Sequence, residues 1–228
     1  MKGFFVTGTD TDVGKTAVTA ALARLLSGRF RVGVFKPVQT GVTDLSRSDA
    51  AYLYQASGYD GPFEDTFAYS FPEPVAPGLA AAYARTTISR EFIREKYDRV
   101  KDRADVILVE GAGGLMVPVA DGLLMADIAL DCNLPLLIVA RPDLGTINHT
   151  LLTVHTARSL GIPVRGVIIN GFFEKSCGPD ISETVNMIQK YGAVDVLGVI
   201  PRFDDPEPMP VIDRISRWME SENIRSIL

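Results

Sequence analysis

A short apolar segment, a glycine-containing loop and a helical pattern follow one another at the start of the chain. Residues 4–6 are typical of a buried strand, the loop runs from Gly8 to Gly14-Lys15-Thr16, and apolar residues recur at helical spacing over 15–26. Glycines let backbone amides turn towards an anion, and the helix N-terminus adds a partial positive charge at the same place. A lysine here reaches nucleotide phosphates, and the hydroxyl that follows it can coordinate Mg²⁺. The unit predicts a phosphate-binding loop, although five residues rather than the usual four separate the glycines; the alternative is a tight turn before a helix.

Apolar runs alternate with helical patterns along the rest of the chain. Strands are predicted over 32–35, 106–109, 136–139, 164–169 and 194–200, and helices over 90–105, 146–160, 181–190 and 211–222, the first of these helices charged and exposed. The Val/Ile/Leu runs lack polar alternation and are typical of strands buried on both faces. We therefore expect an α/β fold with a doubly wound, mostly parallel sheet, in which ligands bind at the carboxyl ends of the strands.

The length and the absence of linkers or repeats predict a single domain over residues 1–228. The Pro-rich segment 71–77 is the exception to the regular pattern. It is compatible with a rigid surface loop or with a loop that lines the substrate site.

Composition excludes several classes of protein. The formal net charge of −5 argues against nucleic acid or anionic lipid as the main partner. Two cysteines and two histidines without metal-binding spacing argue against a zinc site, and we expect Cys132 and Cys177 to be reduced, packed thiols. The apolar run at 134–140 is too short for a membrane span, and the N-terminal residues lack a signal-peptide pattern. A cytoplasmic protein is expected.

Polar residues follow two of the predicted strands. Glu110 precedes the flexible run Gly111-Ala112-Gly113-Gly114, and a carboxylate there suits a hard cation that bridges phosphates, although it could also cap the strand end. Lys36 ends another strand and needs a negative partner such as a phosphate, unless it extends to solvent. Asp49, taken alone, is typical of a helix N-cap.

Together these segments resemble the dethiobiotin synthetase family, which carries out the penultimate step of biotin biosynthesis. The resemblance covers nearly the whole chain, and the lengthened loop is the family's own variant. It is carried by residues 6–11 with Gly14-Lys15-Thr16, by Lys36-Pro37-Val38 with Thr40-Gly41, by Ser48-Asp49, by 109–114, and by Leu144-Gly145 with Ile147-Asn148-His149.

The resemblance implies a fold like that of P-loop containing nucleoside triphosphate hydrolases and the activity of an ATP- and Mg²⁺-dependent ligase that closes a ring. One amine of diaminopelargonate takes up carbon dioxide as a carbamate, and the γ-phosphate of ATP activates it as a mixed anhydride. The second amine then attacks, which gives dethiobiotin, ADP and phosphate.

The resemblance also implies site residues. Thr11, Lys15 and Lys36 would be catalytic, and Thr16, Asp49 and Glu110 would hold Mg²⁺. Thr40 and Lys36 would contact the substrate, and Gly145, Thr146, Ile147 and Asn148 would bind its carboxylate from the second subunit of a homodimer. ATP contacts are implied at Asp12 (where many members carry Glu), Val13, Gly14, Lys15, Thr16, Ala17, Asp49, Glu110, Gly111, Ala112, Gly113, Asn170, Pro201, Arg202, Phe203 and Glu207.

Two other activities are compatible with a phosphate loop in an α/β fold. A cobyrinate-type ATP-dependent amidotransferase would normally carry a glutaminase domain, for which 228 residues leave no room. A partitioning-type ATPase switch would carry an extra lysine early in the loop, where this chain has Thr9 and Asp10.

Overall fold

The central sheet of the protein has seven parallel strands. The structure is a computed structural model that describes residues 2–173, 181–222 and 224. Cys177 lies outside the described residues. The sheet order is β3-β2-β4-β1-β7-β8-β9, so β1 is central, and a short antiparallel hairpin, β5-β6, lies apart from it. The strands are β1 (Lys2–Gly8), β2 (Val32–Gln39), β3 (Phe67–Ser70), β4 (Val106–Glu110), β5 (Pro118–Ala120), β6 (Leu123–Leu124), β7 (Leu136–Ala140), β8 (Val164–Phe172) and β9 (Val196–Pro201).

Helices pack on both faces of this sheet, so the predicted α/β fold with a parallel sheet is confirmed. They are α1 (Lys15–Ser27), α2 (Asp49–Ser57), α3 (Pro77–Tyr83), α4 (Arg90–Lys101), α5 (Met125–Cys132), α6 (Thr146–Ser159), α7 (Ile181–Gly192) and α8 (Pro208–Ser221). On one face, α1 packs against α2 and α8, with Leu22, Leu53 and Met219 buried in one apolar cluster. On the other face, α4 and α5 cover Phe35 and Ile107. Burial of each such side chain contributes about 1.5–3 kcal/mol to folding.

Several short elements were absent from the sequence prediction. α2, β3, α3, α5 and the β5-β6 hairpin depend on tertiary contacts more than on a long periodic pattern. The start of α5, for example, is stabilised by the Asp127 carboxylate, which accepts the Leu124 N–H at 2.7 Å. Short amphipathic segments of this kind give a weak periodic signal.

The boundaries of predicted elements also shift. α4 ends at Lys101 rather than at residue 105, and Asp105, just before β4, pairs with the Arg31 side chain at 2.8 Å. It is also less exposed than predicted, since Ile93, Tyr97 and Val100 are buried. α8 begins at Pro208, three residues earlier than predicted, because proline is well tolerated in a first helical turn.

Cys132 is a free, buried thiol, as predicted. Over the described part of the chain, no helix combines the length and the apolar character that crossing a bilayer requires.

The strand order brings the predicted site residues to one edge of the sheet. β4 lies between β1 and β2, with Val6 opposite Glu110 and Phe35 opposite Val109. All three strands are parallel, so their carboxyl-terminal parts deliver the Gly8–Thr16 loop, Lys36 and Glu110 to the same edge of the sheet. Lys36 was predicted to end its strand, but it lies inside β2, because pairing with β3 extends β2 to Gln39.

Candidate functional site

The phosphate-binding loop begins at the end of β1 and leads into α1 through Gly14. This glycine has a φ of 86°, a left-handed conformation that favours glycine, and a Cβ here would lie 2.1 Å from Asn170 Nδ2. Asn170 Nδ2 donates to the Val13 carbonyl at 3.0 Å and so holds the loop against the end of β8. Because Gly14 has no capping side chain, the first-turn amides of α1 remain available to an anion.

Lys15 is buried beside this loop with only 7% of its surface exposed. Its Nζ donates to the Asp10 carbonyl at 2.9 Å. Burial lowers the pKa of Lys15, and nearby Glu110 partly opposes that effect. A partly desolvated ammonium of this kind gains strongly from a phosphate partner.

Lys36 joins two carboxylates at the centre of the site. It is 3% exposed, its Nζ donates to Glu110 Oε1, and it pairs with Asp49 Oδ2 at 2.7 Å. Thr16 Oγ1 also donates to Glu110 Oε1, at 2.9 Å. Lys36 therefore does not extend to solvent, and that alternative was wrong, because two carboxylates compensate its buried charge.

Burial and charge act in opposite directions on this cluster. Burial alone would lower the pKa of Lys36, but Glu110 and Asp49 outweigh it and raise that pKa. Burial raises the pKa of Glu110, an effect that the Lys36 ammonium partly offsets. For Asp49, burial is outweighed by Lys36, which lowers the pKa of that carboxyl. The geometry brings both carboxylates and the Thr16 hydroxyl around one ammonium group, so the cluster is preorganised before any ligand binds.

Asp49 is not the helix cap that its sequence context indicates. Ser48 occupies the N-cap position of α2, and its Oγ accepts the Ala51 N–H at 3.2 Å. Asp49 is the first helical residue, and its carboxylate is free to turn towards Lys36 because the neighbouring serine provides the cap.

A cavity of about 490 Å³ opens above these side chains. The predicted residues that line it are Thr11, Asp12, Gly14, Lys15, Thr16, Ala17, Lys36, Thr40, Asp49, Glu110, Ala112 and Gly113. Sequence reasoning missed Gln39, Tyr52, Pro208, Val211 and Ile212, which complete the wall. Most of these lie on α2 and α8, and only the position of Gln39 after Lys36 in β2 could have indicated one of them.

Other predicted ATP contacts do not line this cavity. Val13 is buried, and the Gly111 carbonyl accepts from Lys36 Nζ at 3.4 Å. Pro201 ends β9, and Arg202 pairs with Asp204 at 2.8 Å. Phe203 packs against the apolar cluster around α1, and Glu207 occupies the N-cap position of α8.

The Pro-rich segment braces the turn that carries Thr40. The Gly41 N–H donates to the Glu73 carbonyl at 3.1 Å and the Val42 N–H donates to the Phe71 carbonyl at 2.9 Å. None of residues 71–77 lines the cavity. The segment therefore acts as a support for the turn.

The predicted carboxylate-binding segment lies at the start of α6. Gly145 is its N-cap with a φ of 95°, and Thr146 is buried. Asn148 lines a separate cavity of about 300 Å³ with His155 and Tyr191. Within one chain, Gly145, Thr146, Ile147 and Asn148 do not line the larger cavity.

Arg141, at the end of β7, links the phosphate-binding loop to α6. One of its terminal nitrogens lies 3.6 Å from Asp10 Oδ2, and the other lies 3.4 Å from His149 Nδ1.

The donor set around Glu110 is suitable for Mg²⁺. Glu110 Oε2 is buried without a hydrogen-bond partner, and Thr16 and Asp49 add a hydroxyl and a carboxylate nearby. Mg²⁺ prefers such oxygen ligands, and nucleotide phosphates commonly complete its shell. Residues 2–173, 181–222 and 224 contain no cluster of three or more His, Cys, Asp or Glu side chains that could hold a metal without such a ligand.

Comparison with known proteins identifies the family. A family model described as an AAA domain matches residues 2–209. The chain is 42% identical over 207 residues to the ATP-dependent dethiobiotin synthetase BioD of Bacillus subtilis, which covers 89% of this chain and 88% of the relative. The chain belongs to the dethiobiotin synthetase family. The enzyme of the same name from Bacillus licheniformis is also 42% identical, over 92% of this chain and 90% of its own length.

Solved structures give the fold of this dethiobiotin synthetase family member independently. The MinC:MinD cell division protein complex of Aquifex aeolicus matches with a TM-score of 0.56 at 18% identity, covering 98% of this chain and 89% of that one. A ParA family ATPase of Chlorobium tepidum matches with a TM-score of 0.55 at 15% identity, covering 96% and 92%. At these identities the likeness concerns the fold alone. The sequence identity to the two Bacillus enzymes confirms the predicted family and its ATP-dependent ligase class. The amidotransferase and ATPase-switch alternatives are not favoured.

Proposed function

We propose that this protein closes the ureido ring of dethiobiotin from diaminopelargonate, carbon dioxide and ATP, with ADP and phosphate as the other products. The observation that carries the proposal is the arrangement of Lys15, Lys36, Asp49 and Glu110 around one cavity beside a phosphate-binding loop. A family member 42% identical over most of the chain bears the name of this activity.

Ring closure needs a poor leaving group to be converted into a good one. One amine of the substrate adds to carbon dioxide and loses a proton, which gives a carbamate. A carbamate oxygen then attacks the γ-phosphorus and ADP leaves. The second amine attacks the carbonyl carbon of the mixed anhydride, phosphate leaves, and the amine loses its proton as the cyclic urea forms.

The side chains that line the cavity suit the phosphoryl transfer. Lys15 and Lys36 provide two buried ammonium groups to stabilise the charge of the phosphoryl group in transfer. Thr11 and Thr40 line the same cavity and can donate hydrogen bonds to the carbamate or the diamine. Positioning and charge neutralisation supply most of the catalysis in this reaction class.

Thr16, Asp49 and Glu110 would hold Mg²⁺, which when bound would neutralise phosphate charge. Glu110 would offer its unpaired Oε2, and Thr16 and Asp49 would turn from their present partners towards the ion.

The nucleoside is proposed to lie towards β8, β9 and the start of α8. Asn170 holds the loop with one amide hydrogen, and its second hydrogen and its carbonyl oxygen can contact a purine edge. Asp12, Val13, Ala17, Gly111, Ala112 and Gly113 would surround the phosphates and ribose, and Pro201, Arg202, Phe203 and Glu207 would lie near the base.

A second copy of the chain is proposed to complete the substrate site. Gly145 to Asn148 begin α6, and a helix start is a suitable site for a carboxylate. Because this segment does not line the cavity of its own chain, a homodimer would bring it to the partner's cavity. Two further points remain predictions. Residues 1–228 are expected to form a single domain, and the enzyme is expected to work in the cytoplasm without nucleic-acid or membrane partners.

The activity is tested by incubating the purified protein with diaminopelargonate, bicarbonate and MgATP and detecting dethiobiotin by mass spectrometry. ATP cleavage that is independent of the diamine, without any cyclic urea, would contradict the proposal and favour an ATPase switch. The shared site is tested separately by mixing Lys15→Ala and Asn148→Ala variants. Hybrid dimers should regain activity, and no recovery despite demonstrated subunit exchange would exclude the shared site.

A further inference from the structure

Gln39 is a buried polar residue of the cavity wall to which the proposed reaction gives no role. It is the last residue of β2, three positions after Lys36, and only 1% of its surface is exposed. An uncharged amide buried at this depth needs partners for its oxygen and its nitrogen. The partners that it has lie on two different elements.

The side-chain oxygen of Gln39 contacts the first turn of α2. Gln39 Oε1 accepts the Ala50 N–H at 3.2 Å, and its Nε2 donates to Ser70 Oγ at 3.4 Å, on the neighbouring strand β3. The N–H groups of a first helical turn have no acceptor within the helix. Ser48 Oγ already accepts the next one, from Ala51, so Gln39 provides a second and non-local acceptor at this helix end.

This contact ties the helix that carries Asp49 to the strand that carries Lys36. Asp49 directly precedes Ala50, and its Oδ2 lies 2.7 Å from Lys36 Nζ. Ser48 alone would cap the helix, but it belongs to the helix entrance and fixes nothing relative to β2. Gln39 adds a hydrogen bond between α2 and β2, beside the Lys36–Asp49 pair and the packing of α2 against β2.

We propose that Gln39 is a positioning residue that holds the Asp49 carboxylate in the nucleotide site by pinning the first turn of α2 to the end of β2. The inference rests on the proposed function for the role of Asp49 beside Mg²⁺ and the phosphates. Loss of the Ala50 acceptor would let the turn relax and move Asp49 away from Lys36 and Thr16.

The main test is Gln39→Met, which keeps the approximate length of the side chain and removes the acceptor oxygen. Calorimetry of AMPPNP binding across a Mg²⁺ titration should show a Mg²⁺ requirement about 10- to 100-fold higher, the scale typical of residues that orient metal ligands. Binding of AMPPNP without Mg²⁺ should change much less. An unaltered Mg²⁺ requirement in a folded Gln39→Met protein would overturn the proposal.

Two matched variants separate positioning from general stability. Ser70→Ala removes the hydroxyl that accepts from Gln39 Nε2 and leaves the hydrogen bond from the Ala50 N–H in place. The Mg²⁺ requirement of the Ser70→Ala variant should therefore stay at the wild-type value. Gln39→Glu keeps an acceptor oxygen for Ala50 and should remain closer to wild type than Gln39→Met. An effect of Ser70→Ala equal to that of Gln39→Met would contradict the proposed route.

A double-mutant cycle with Asp49→Asn tests whether Gln39 acts through Asp49. Residues that act through one another give non-additive effects, so Gln39→Met should add little to the Mg²⁺ requirement of Asp49→Asn. If the fold-change in the Mg²⁺ requirement of the double variant equals the product of the two single-variant fold-changes, Gln39 does not act through Asp49.

If Gln39→Met does not fold, hydrogen exchange of the Ala50 amide in the unaltered protein tests the proposed contact with Gln39. The contact predicts slow exchange at Ala50, and exchange at the rate of an exposed amide would overturn the proposal. Because AMPPNP binding needs no turnover, these results stand apart from the dethiobiotin assay. A failure of ring closure in the wild type would count against the proposed function. The effect of Gln39→Met on Mg²⁺-dependent AMPPNP binding could still be interpreted in that case.

Discussion

Removal of the buried Lys36 ammonium should destabilise the protein strongly before any substrate is involved. Lys36→Met keeps the aliphatic bulk but leaves Glu110, whose side chain is fully buried, without its nearest positive partner. Loss of one member of a buried ion pair typically costs about 3–5 kcal/mol of the free energy of unfolding. For a chain of this size, each kcal/mol lowers the melting temperature by about 2–4 °C, so we expect a decrease of about 6–20 °C.

The pH dependence of the variant gives the sharper signature. Burial already raises the pKa of Glu110 above its ordinary value of 4.5, and Lys36 opposes that rise. Without Lys36 the folded-state pKa rises further, so the folded state binds more protons than the unfolded state. Stability should therefore decrease as the pH rises from about 4.5 through the folded-state pKa, by at most about 1.4 kcal/mol per pH unit.

The assay is urea and thermal unfolding without nucleotide between pH 5 and 8. The double variant Lys36→Met/Glu110→Gln should regain much of the lost stability, because the uncompensated Glu110 charge is gone. For the same reason its stability should depend on pH much less than that of Lys36→Met. Lys101→Met is a matched control, since Lys101 forms a more exposed pair with Asp98 and such pairs contribute about 0–1 kcal/mol. A melting temperature of Lys36→Met near that of the wild type, or stability that increases with pH in this range, would refute the reasoning.

Three further predictions concern the ligands of the cavity. Lys15→Ala should lower turnover by about 10²- to 10³-fold, the scale for loss of one preorganised charged donor; steady-state kinetics near the wild-type rate would exclude that role. Gly14→Ala should weaken AMPPNP binding, because a Cβ would lie 2.1 Å from Asn170 Nδ2 at a φ of 86°; an unchanged dissociation constant in calorimetry is the opposing result. Asn148→Ala should weaken diaminopelargonate binding more than ATP binding, and calorimetry that gives the reverse order would refute the carboxylate assignment.

The charged cluster shows how far sequence reasoning extends. Residue type and a place near the predicted end of a strand were enough to select Lys36 and Glu110, because parallel strands present their carboxyl ends at one edge of the sheet. Their partnership was not foreseen, since it depends on β2 and β4 being neighbours, which the chain order does not state. Phosphate was expected to compensate Lys36, and in the structure two carboxylates do so.

Asp49 and Gln39 show where local patterns are insufficient. Ser48 and Asp49 are both good capping residues, and only the three-dimensional position of α2 decides that the serine caps while the aspartate faces Lys36. Gln39 attracted no functional prediction, because an amide at a strand end has no chemical signature of its own. Its role depends on a hydrogen bond to Ala50, on a helix that the sequence did not predict.

The sequence by itself determined the strand–loop–helix unit, the parallel α/β fold and the family, because these depend on local periodicity, on glycine where the backbone needs a positive φ, and on chemically distinctive side chains. The tertiary structure alone decided which charges pair, which residues wall the cavity, and that the start of α6 lies outside the cavity of its own chain. The physical reason is that pair energies and cavity shape depend on distances between elements far apart along the chain, and these distances are set by packing.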